Sequence, residues 1–153
     1  MLFRSKKALE KDLPLAAAES CTGGALAQAL TRAPKASTIV KGGFVVYTKA
    51  AKSAVLGVPQ DILAKETAVA ASVARAMALG ALRRSEAGVA MAVTGVAGPA
   101  PDEDGNPVGL VFVAAAQRDG RLLGAELRLE GDAQAICNAA MIRVMLLAEN
   151  LLD

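Results

Sequence analysis

The sequence predicts a three-layer α/β/α domain with a mixed sheet, and three observations carry that prediction. Short apolar runs alternate with helical patterns through most of the chain, which is the signature of strand–helix units. Two β-rich runs then follow each other directly across Asp119-Gly120, which reads as an antiparallel hairpin. A long amphipathic pattern closes the chain.

The elements follow in order. Ser5 to Leu13 reads as a short polar helix, ended by Pro14, which cannot continue it. Leu15 to Ala18 is a brief apolar run, expected as a buried strand, and Glu19-Ser20-Cys21-Thr22-Gly23-Gly24 turns it into a helix over Ala25 to Thr31. That helix stops ahead of Pro34, because a residue before proline disfavours helical angles. Ile39 to Thr48 is rich in strand formers, and its internal Gly42-Gly43 predicts a bulge or a close backbone contact. Lys49 to Leu56 is expected as a helix closed by Gly57 and Pro59. Ala68 to Leu82 carries Val69, Val73, Met77 and Ala81 at helical spacing. Gly88 to Val93 is a compact apolar run, expected as a central strand.

Gly95 to Pro107 holds three prolines and the acidic run Asp102-Glu103-Asp104, and is the one candidate for low order. Val108 to Ala116 and Leu122 to Leu129 form the hairpin strands. Asp132 is placed to cap the last helix, whose stripe is Ile136, Ala140, Val144, Leu147 and Leu151. No internal repeat or linker interrupts the chain, so residues 1–153 are expected to form one domain, with a helix in the first twelve residues. The many alanines allow helices to approach a sheet closely; a GC-rich genome is the other source of such a bias.

Composition removes several functions. With 153 residues, there is room for one ordinary core. Hydrophobic residues make up 54% and charged residues 21%, which excludes a disordered chain. Aromatics are 3% and tryptophan is absent, against a stacking platform for single strands. The formal charge of +2 is too balanced for bulk attraction to a polyanion, so no nucleic-acid partner is expected. Met1 to Leu13 lacks the apolar run of a signal peptide and no stretch suits a membrane span, so a cytoplasmic protein without a membrane partner is expected. Cys21 and Cys137 are far apart and are read as reduced thiols, although one disulfide would be possible. Apolar residues of the last helix off its main stripe, Ile142, Met145, Leu146 and Leu152, point to self-association, as a dimer.

The absence of histidine is the sharpest constraint. It excludes Ser-His-Asp and Cys-His catalysis and every histidine metal site. Ser20 lies at a strand-to-helix turn, where a side chain is exposed and backbone N–H groups favour an anion, either phosphate or an oxyanion. The competing reading is an ordinary helix cap by Ser20 or Thr22. A serine nucleophile without histidine needs another base, and lysine serves once burial lowers its pKa. Lys49 and Lys52 follow the sole tyrosine, Tyr47, which is able to relay a proton; a strand-end tyrosine with solvated lysines is the alternative. Thr94-Gly95 ends the apolar run at Val93, where open α/β sheets bind ligands; turn chemistry is its alternative.

Taken together, Glu19-Ser20-Cys21-Thr22-Gly23-Gly24, Gly42-Gly43 with Tyr47 and Lys52, Leu56-Gly57-Val58, Ala92 to Pro99, Pro107-Val108-Gly109 and Gly131-Asp132 resemble the CinA C-terminal domain family. The resemblance runs collinearly from about Leu13 to Leu147, and residues 1–12 stand outside it. It implies a stand-alone amidase domain that hydrolyses nicotinamide mononucleotide to nicotinic acid mononucleotide and ammonia; longer relatives add a molybdopterin-binding-like domain. It also implies Ser20 as nucleophile, Tyr47 and Lys52 as activating partners, and Thr94 as a substrate or oxyanion contact. Thr22, Gly23, Gly24 and Gly95 are expected to bind substrate beside Thr94. The small-molecule nucleotide is the expected partner, and no metal or organic cofactor is implied. Lys41, Lys49 and Lys52 are available as cations for its phosphate.

The chain departs from the family where substrate contacts are expected. A glycine-rich run is replaced by Ala100-Pro101-Asp102-Glu103-Asp104. Ala133 stands where an arginine is common, Cys137 near a second one, and Ala68-Val69-Ala70 replaces Ala-Val-Ser. These departures imply weak phosphate binding and leave two alternatives open: a nearly inactive nucleotide-binding module, or an amidase with another substrate.

Overall fold

Alanine sets one face of this sheet and larger apolar residues set the other. A computed structural model of the chain describes residues 6–153. Its elements are α1 (Lys6–Glu10), β1 (Leu15–Glu19), α2 (Ala25–Thr31), α3 (Ala36–Ile39), β2 (Val40–Val45), α4 (Lys49–Leu56), α5 (Gln60–Glu66), α6 (Ala71–Arg83), β3 (Val89–Gly95), β4 (Leu110–Gln117), β5 (Leu122–Arg128) and α7 (Ala133–Leu151). The five strands form one sheet in the order β2-β1-β3-β4-β5. β1 is parallel to β2 and β3, and β4 is antiparallel to β3 and β5, so the sheet is mixed as expected.

Side chains alternate across a strand with period two, so each strand divides its residues between two cores. Leu15, Ala17, Val89, Met91, Val93, Val111, Val113 and Ala115 face α2 and α7. Ala16, Ala18, Ala90, Ala92, Ala114 and Ala116 face the layer of α4, α5 and α6. Apart from Thr94 and Phe112 near the site end, this face carries methyl groups on these three strands, and this lets α6 lie close to the sheet. The alanine content thus has a packing consequence on one face.

The same closeness continues one layer out. A Cβ on Gly80 of α6 would lie 2.1 Å from the Leu56 carbonyl oxygen, so α4 rests directly on the α6 backbone. Lys52 and Leu56 are four apart and share the buried face of α4.

The expected boundaries hold for α2 and α4, and several others move. The strand expected over Ile39 to Thr48 is shorter, because α3 precedes it and Thr48 caps α4 by accepting from the Ala51 N–H at 3.0 Å. The bulge falls at Lys41, one residue before the glycine pair. Gly43 supplies the close contact, since a Cβ there would meet Ala27 of α2 at 3.0 Å. α6 starts at Ala71 because Thr67 to Ala70 is non-helical, with Ala70 extended. α5 was not expected; Pro59 reads as a stop for α4 and is also the residue that opens α5. Asp132 caps α7 as expected, accepting from the Ala135 N–H at 2.9 Å. The Ser5 end of the first expected helix lies outside the described residues.

Of the residues expected to drive self-association, Met145 and Leu152 are buried in the core, while Ile142 and Leu146 are 39% and 42% exposed. The acidic segment, expected as the low-order stretch, is instead an ordered turn. Asp102 accepts from the Asn106 N–H at 2.7 Å and from the Asn106 side-chain amide at 2.8 Å.

Adding a methyl group at Gly80 forces α4 and α6 apart. Gly80→Ala should lower stability by about 1–3 kcal/mol, the usual cost of overpacking, despite alanine's better helix propensity. Urea unfolding of the two proteins checks this.

Candidate functional site

The chain leaves β1 toward the α2 and α7 face and leaves β2 toward the α4 to α6 face. A crevice therefore opens at the carboxyl ends of these adjacent parallel strands, the usual ligand position in open α/β sheets. Here it is a cavity of about 390 Å³, within the range of small-molecule sites. Ser20, Cys21, Tyr47, Lys49, Lys52, Thr94 and Gly95 line one part of it, and Asp102, Glu103 and Asp104 another.

Ser20 follows β1 directly, and its N–H is held by the Val93 carbonyl at 3.0 Å. Its hydroxyl lies 2.9 Å from the Lys52 amine. Lys52 is 1% exposed, and its other neighbours are the carbonyl oxygens of Val46 at 3.0 Å and Tyr47 at 3.5 Å. Burial penalises the charged amine and lowers its pKa from 10.5 to about 8. The Lys52 side chain makes no ion pair with a carboxylate among the described residues, so the penalty is opposed only by the smaller effect of the nearby Cys21 thiol.

The hydrogen-bond geometry also selects where a lone pair must point. Carbonyl oxygens only accept, so Val46 and Tyr47 demand N–H groups whatever the protonation state. A neutral amine has two N–H groups and one lone pair. The two carbonyls take the N–H groups, and the lone pair is left for the Ser20 hydroxyl.

Tyr47 lines the cavity mouth and is 70% exposed. The lysine–serine bond is direct, so the expected tyrosine relay between them is not the geometry found. Thr94 is buried and donates to the Ala68 carbonyl at 2.7 Å. Its proton is therefore engaged, and toward the cavity its oxygen can only accept. Gly95 lines the cavity beside it.

Thr22, Gly23 and Gly24 are not among the cavity-lining residues. Each of them has a structural part in the turn. Gly23 and Gly24 have φ of 58° and 106°, a region that suits glycine, and they make the turn into α2. The Thr22 hydroxyl donates to Glu19 at 2.6 Å. Glu19, not Ser20 or Thr22, caps α2: its carboxylate accepts from the N–H groups of Gly24 at 3.2 Å, Leu26 at 2.8 Å and Ala27 at 2.9 Å. The helix start expected to receive an anion is already filled by this one. Sequence reasoning missed Glu19; a lone acid closing an apolar strand ahead of Gly-Gly was the available signal.

Two of the three expected phosphate cations are engaged elsewhere. Lys52 is turned to Ser20, and Lys49 pairs with Asp104 at 2.9 Å, which raises its pKa. Lys41 is exposed on β2 and is not in the cavity wall, and neither is Ala133. Both cysteines are free, and the Cys137 thiol donates to the Cys21 carbonyl at 3.3 Å. Burial, with Cys137 next, pushes the Cys21 thiol up to about 12, so it is protonated and a poor nucleophile at neutral pH.

The fold and this cavity define an α/β domain whose buried serine and lysine meet at the carboxyl edge of a mixed sheet. Comparison with known proteins then gives the family. The model of the CinA C-terminal domain matches residues 3–152, and the chain belongs to that family. A CinA-like protein of Mycobacterium sp. (strain JLS) is 48% identical over 118 residues, 77% of this chain and 28% of the relative. A CinA-like protein of Geobacter sulfurreducens is 49% identical over 111 residues, 72% of this chain and 27% of the relative. The chain thus spans under a third of the length of these curated relatives. Among solved structures, the competence/damage inducible protein CihA from Agrobacterium tumefaciens superposes with a TM-score of 0.92 at 39% identity, covering 97% of this chain and 90% of that one. A CinA superfamily protein from Escherichia coli gives 0.91 at 37%, covering 96% and 85%. No described helix is long and apolar enough to cross a membrane.

The buried amine has a consequence for stability. Its folded pKa lies below the unfolded value, so between about 8 and 10.5 the unfolded chain binds more protons and stability rises with pH. At pH 7 the lowered value corresponds to a penalty of about 3 kcal/mol. Relative to Lys52→Met, the wild-type protein should gain about 2 kcal/mol between pH 7 and pH 10. Urea unfolding of both at each pH measures it, and an unchanged difference would mean an ordinary lysine.

Proposed function

We propose that this domain is a serine-dependent amidohydrolase that converts nicotinamide mononucleotide to nicotinic acid mononucleotide and ammonia. The observation that supports this reading is the direct hydrogen bond between a buried, low-pKa lysine and the one serine in the cavity. Neutral Lys52 would take the Ser20 proton while Oγ attacks the carboxamide carbon. The resulting oxyanion needs donors, and the Cys21 and Thr22 amides are outside the set that Glu19 uses. The Lys52 ammonium then returns its proton to the leaving nitrogen, and ammonia departs as an acyl ester forms on Ser20. Water attacks that ester with Lys52 again as base, releasing the acid and free Ser20. Tyr47 would act from the mouth on substrate, since Lys52 reaches Ser20 unaided.

A second reading has its own support. Asp102, Glu103 and Asp104 line the same cavity, and Lys49 is spent on Asp104. A phosphate entering here meets carboxylates, which favours weak binding, a non-catalytic nucleotide module, or an unphosphorylated amide. Ammonia release from nicotinamide mononucleotide, run beside other amides and nucleotide binding, separates these.

Four kinetic outcomes are expected. Ser20→Ala should lose at least about three orders of magnitude in turnover; wild-type turnover would remove Ser20 from the chemistry. The ratio kcat/KM should rise about tenfold per pH unit below pH 8 and level off above it, because only neutral Lys52 accepts a proton. Lys52→Arg should be inactive, since a guanidinium stays charged. Glu103→Gln should lower KM for the phosphorylated substrate about two- to fivefold with kcat unchanged, the modest size reflecting solvent screening. The dimer is retained in the proposal on Ile142 and Leu146 alone, and light scattering that gives one chain's mass at micromolar concentrations would remove it.

A further inference from the structure

We propose that Glu19 is a positioning residue for Ser20, fixing the turn that aims the hydroxyl and keeping the amides after it free for an oxyanion. The inference rests on the reading of Ser20 as nucleophile. Glu19 is the last residue of β1 and is 0% exposed. A buried carboxylate is costly unless its oxygens are satisfied. Here one oxygen accepts from the Thr22 hydroxyl and the Gly24 and Leu26 amides, and the other from the Ala27 amide.

These donors all lie after Ser20, within eight residues of Glu19. The carboxylate therefore gathers the whole turn around itself and pins both the strand end before Ser20 and the helix start after it. The backbone of Glu19 is tied to the lysine side as well. Its carbonyl accepts from the Val46 N–H at 2.8 Å, and the Val46 carbonyl holds the Lys52 amine. One residue thus sits between the two halves of the serine–lysine pair, by its side chain on one side and its main chain on the other.

The carboxylate also decides which amides are free. It occupies Gly24, Leu26 and Ala27, the positions where the helix would hold an anion. An anion forming on a substrate at Ser20 is left with the Cys21 and Thr22 amides, whose direction the Thr22–Glu19 bond helps set. A neutral side chain would leave a helix start with open N–H groups beside the nucleophile, and a turn with no anchor.

The test needs no knowledge of the substrate. A fluorophosphonate reacts with activated serines, and its rate of adduct formation on Ser20, followed by mass spectrometry, reads the nucleophile directly. In Glu19→Gln one oxygen becomes an NH2 group facing the Ala27 N–H, so a donor meets a donor. The expected result is a rate about 10- to 100-fold below wild type at a temperature where circular dichroism shows both folded, with KM for any turned-over amide changed less than about threefold. Thr22→Val keeps the carboxylate and its three amides and removes only the hydroxyl donor; a rate about three- to tenfold below wild type is expected. It also serves where Glu19→Gln does not fold. Wild-type labelling rates in folded Thr22→Val or folded Glu19→Gln would overturn the positioning role. A wild-type protein that Ser20→Ala shows to be unlabelled at Ser20 would instead overturn the nucleophile reading on which it rests.

Discussion

The structure turns on one burial: the Lys52 amine, held out of water between Ser20 and two carbonyl oxygens. A lysine has a long stem and ordinarily keeps its charge in solvent. Here α4 is pressed onto α6 at Gly80, and Lys52 shares its inward face with Leu56. The lysine has no solvent to reach. The close approach of the helices, the methyl-lined sheet face beneath them and the depressed pKa are consequences of the same packing.

Two buried charged-type residues flank Ser20, and they are satisfied in opposite ways. Glu19 is held by an alcohol and three amides; Lys52 is held by an alcohol and two carbonyls. They form no ion pair with each other. That separation matters, because a carboxylate beside Lys52 would stabilise the ammonium and raise its pKa. Neutral partners leave desolvation the dominant effect, with only Cys21 opposing it, and make the amine a base near neutral pH. The helix N-terminus absorbs the Glu19 charge instead.

Much of this was legible in the residues. The mixed sheet followed from alternation and the late hairpin, and the helix bounds at Ala25–Thr31 and Lys49–Leu56 followed from Pro34, Gly57 and the motif spacing. That Ser20 and Thr94 lie at one edge also followed, because both stand at the carboxyl ends of parallel strands; Lys52, a turn into α4, came from the family resemblance, with Tyr47 expected between it and Ser20. What local pattern did not carry was partner choice. The position of Glu19 at the end of an apolar strand signals burial, but not which groups satisfy it, since its donors lie three to eight residues ahead. Lys49 and Lys52 look alike in sequence, yet one reaches Asp104 across the mouth and the other Ser20 inside. The acidic run reads as disorder by composition, but Asp102 folds it around Asn106. The two lysines choose partners 55 and 32 residues away, and the two acids choose theirs through the turn each one closes.

Burial brings the Lys52 pKa down to about 8 inside the folded protein, so that a fraction of the amine is neutral near physiological pH. The direct measurement is a carbon-13 NMR titration of lysine side chains, with the Lys52→Met protein identifying the Lys52 resonance. The structure predicts a midpoint near 8 for that one signal, well below the ordinary lysine value. A midpoint at 10 or above would contradict it, and Lys52 would then be a fixed cation beside Ser20.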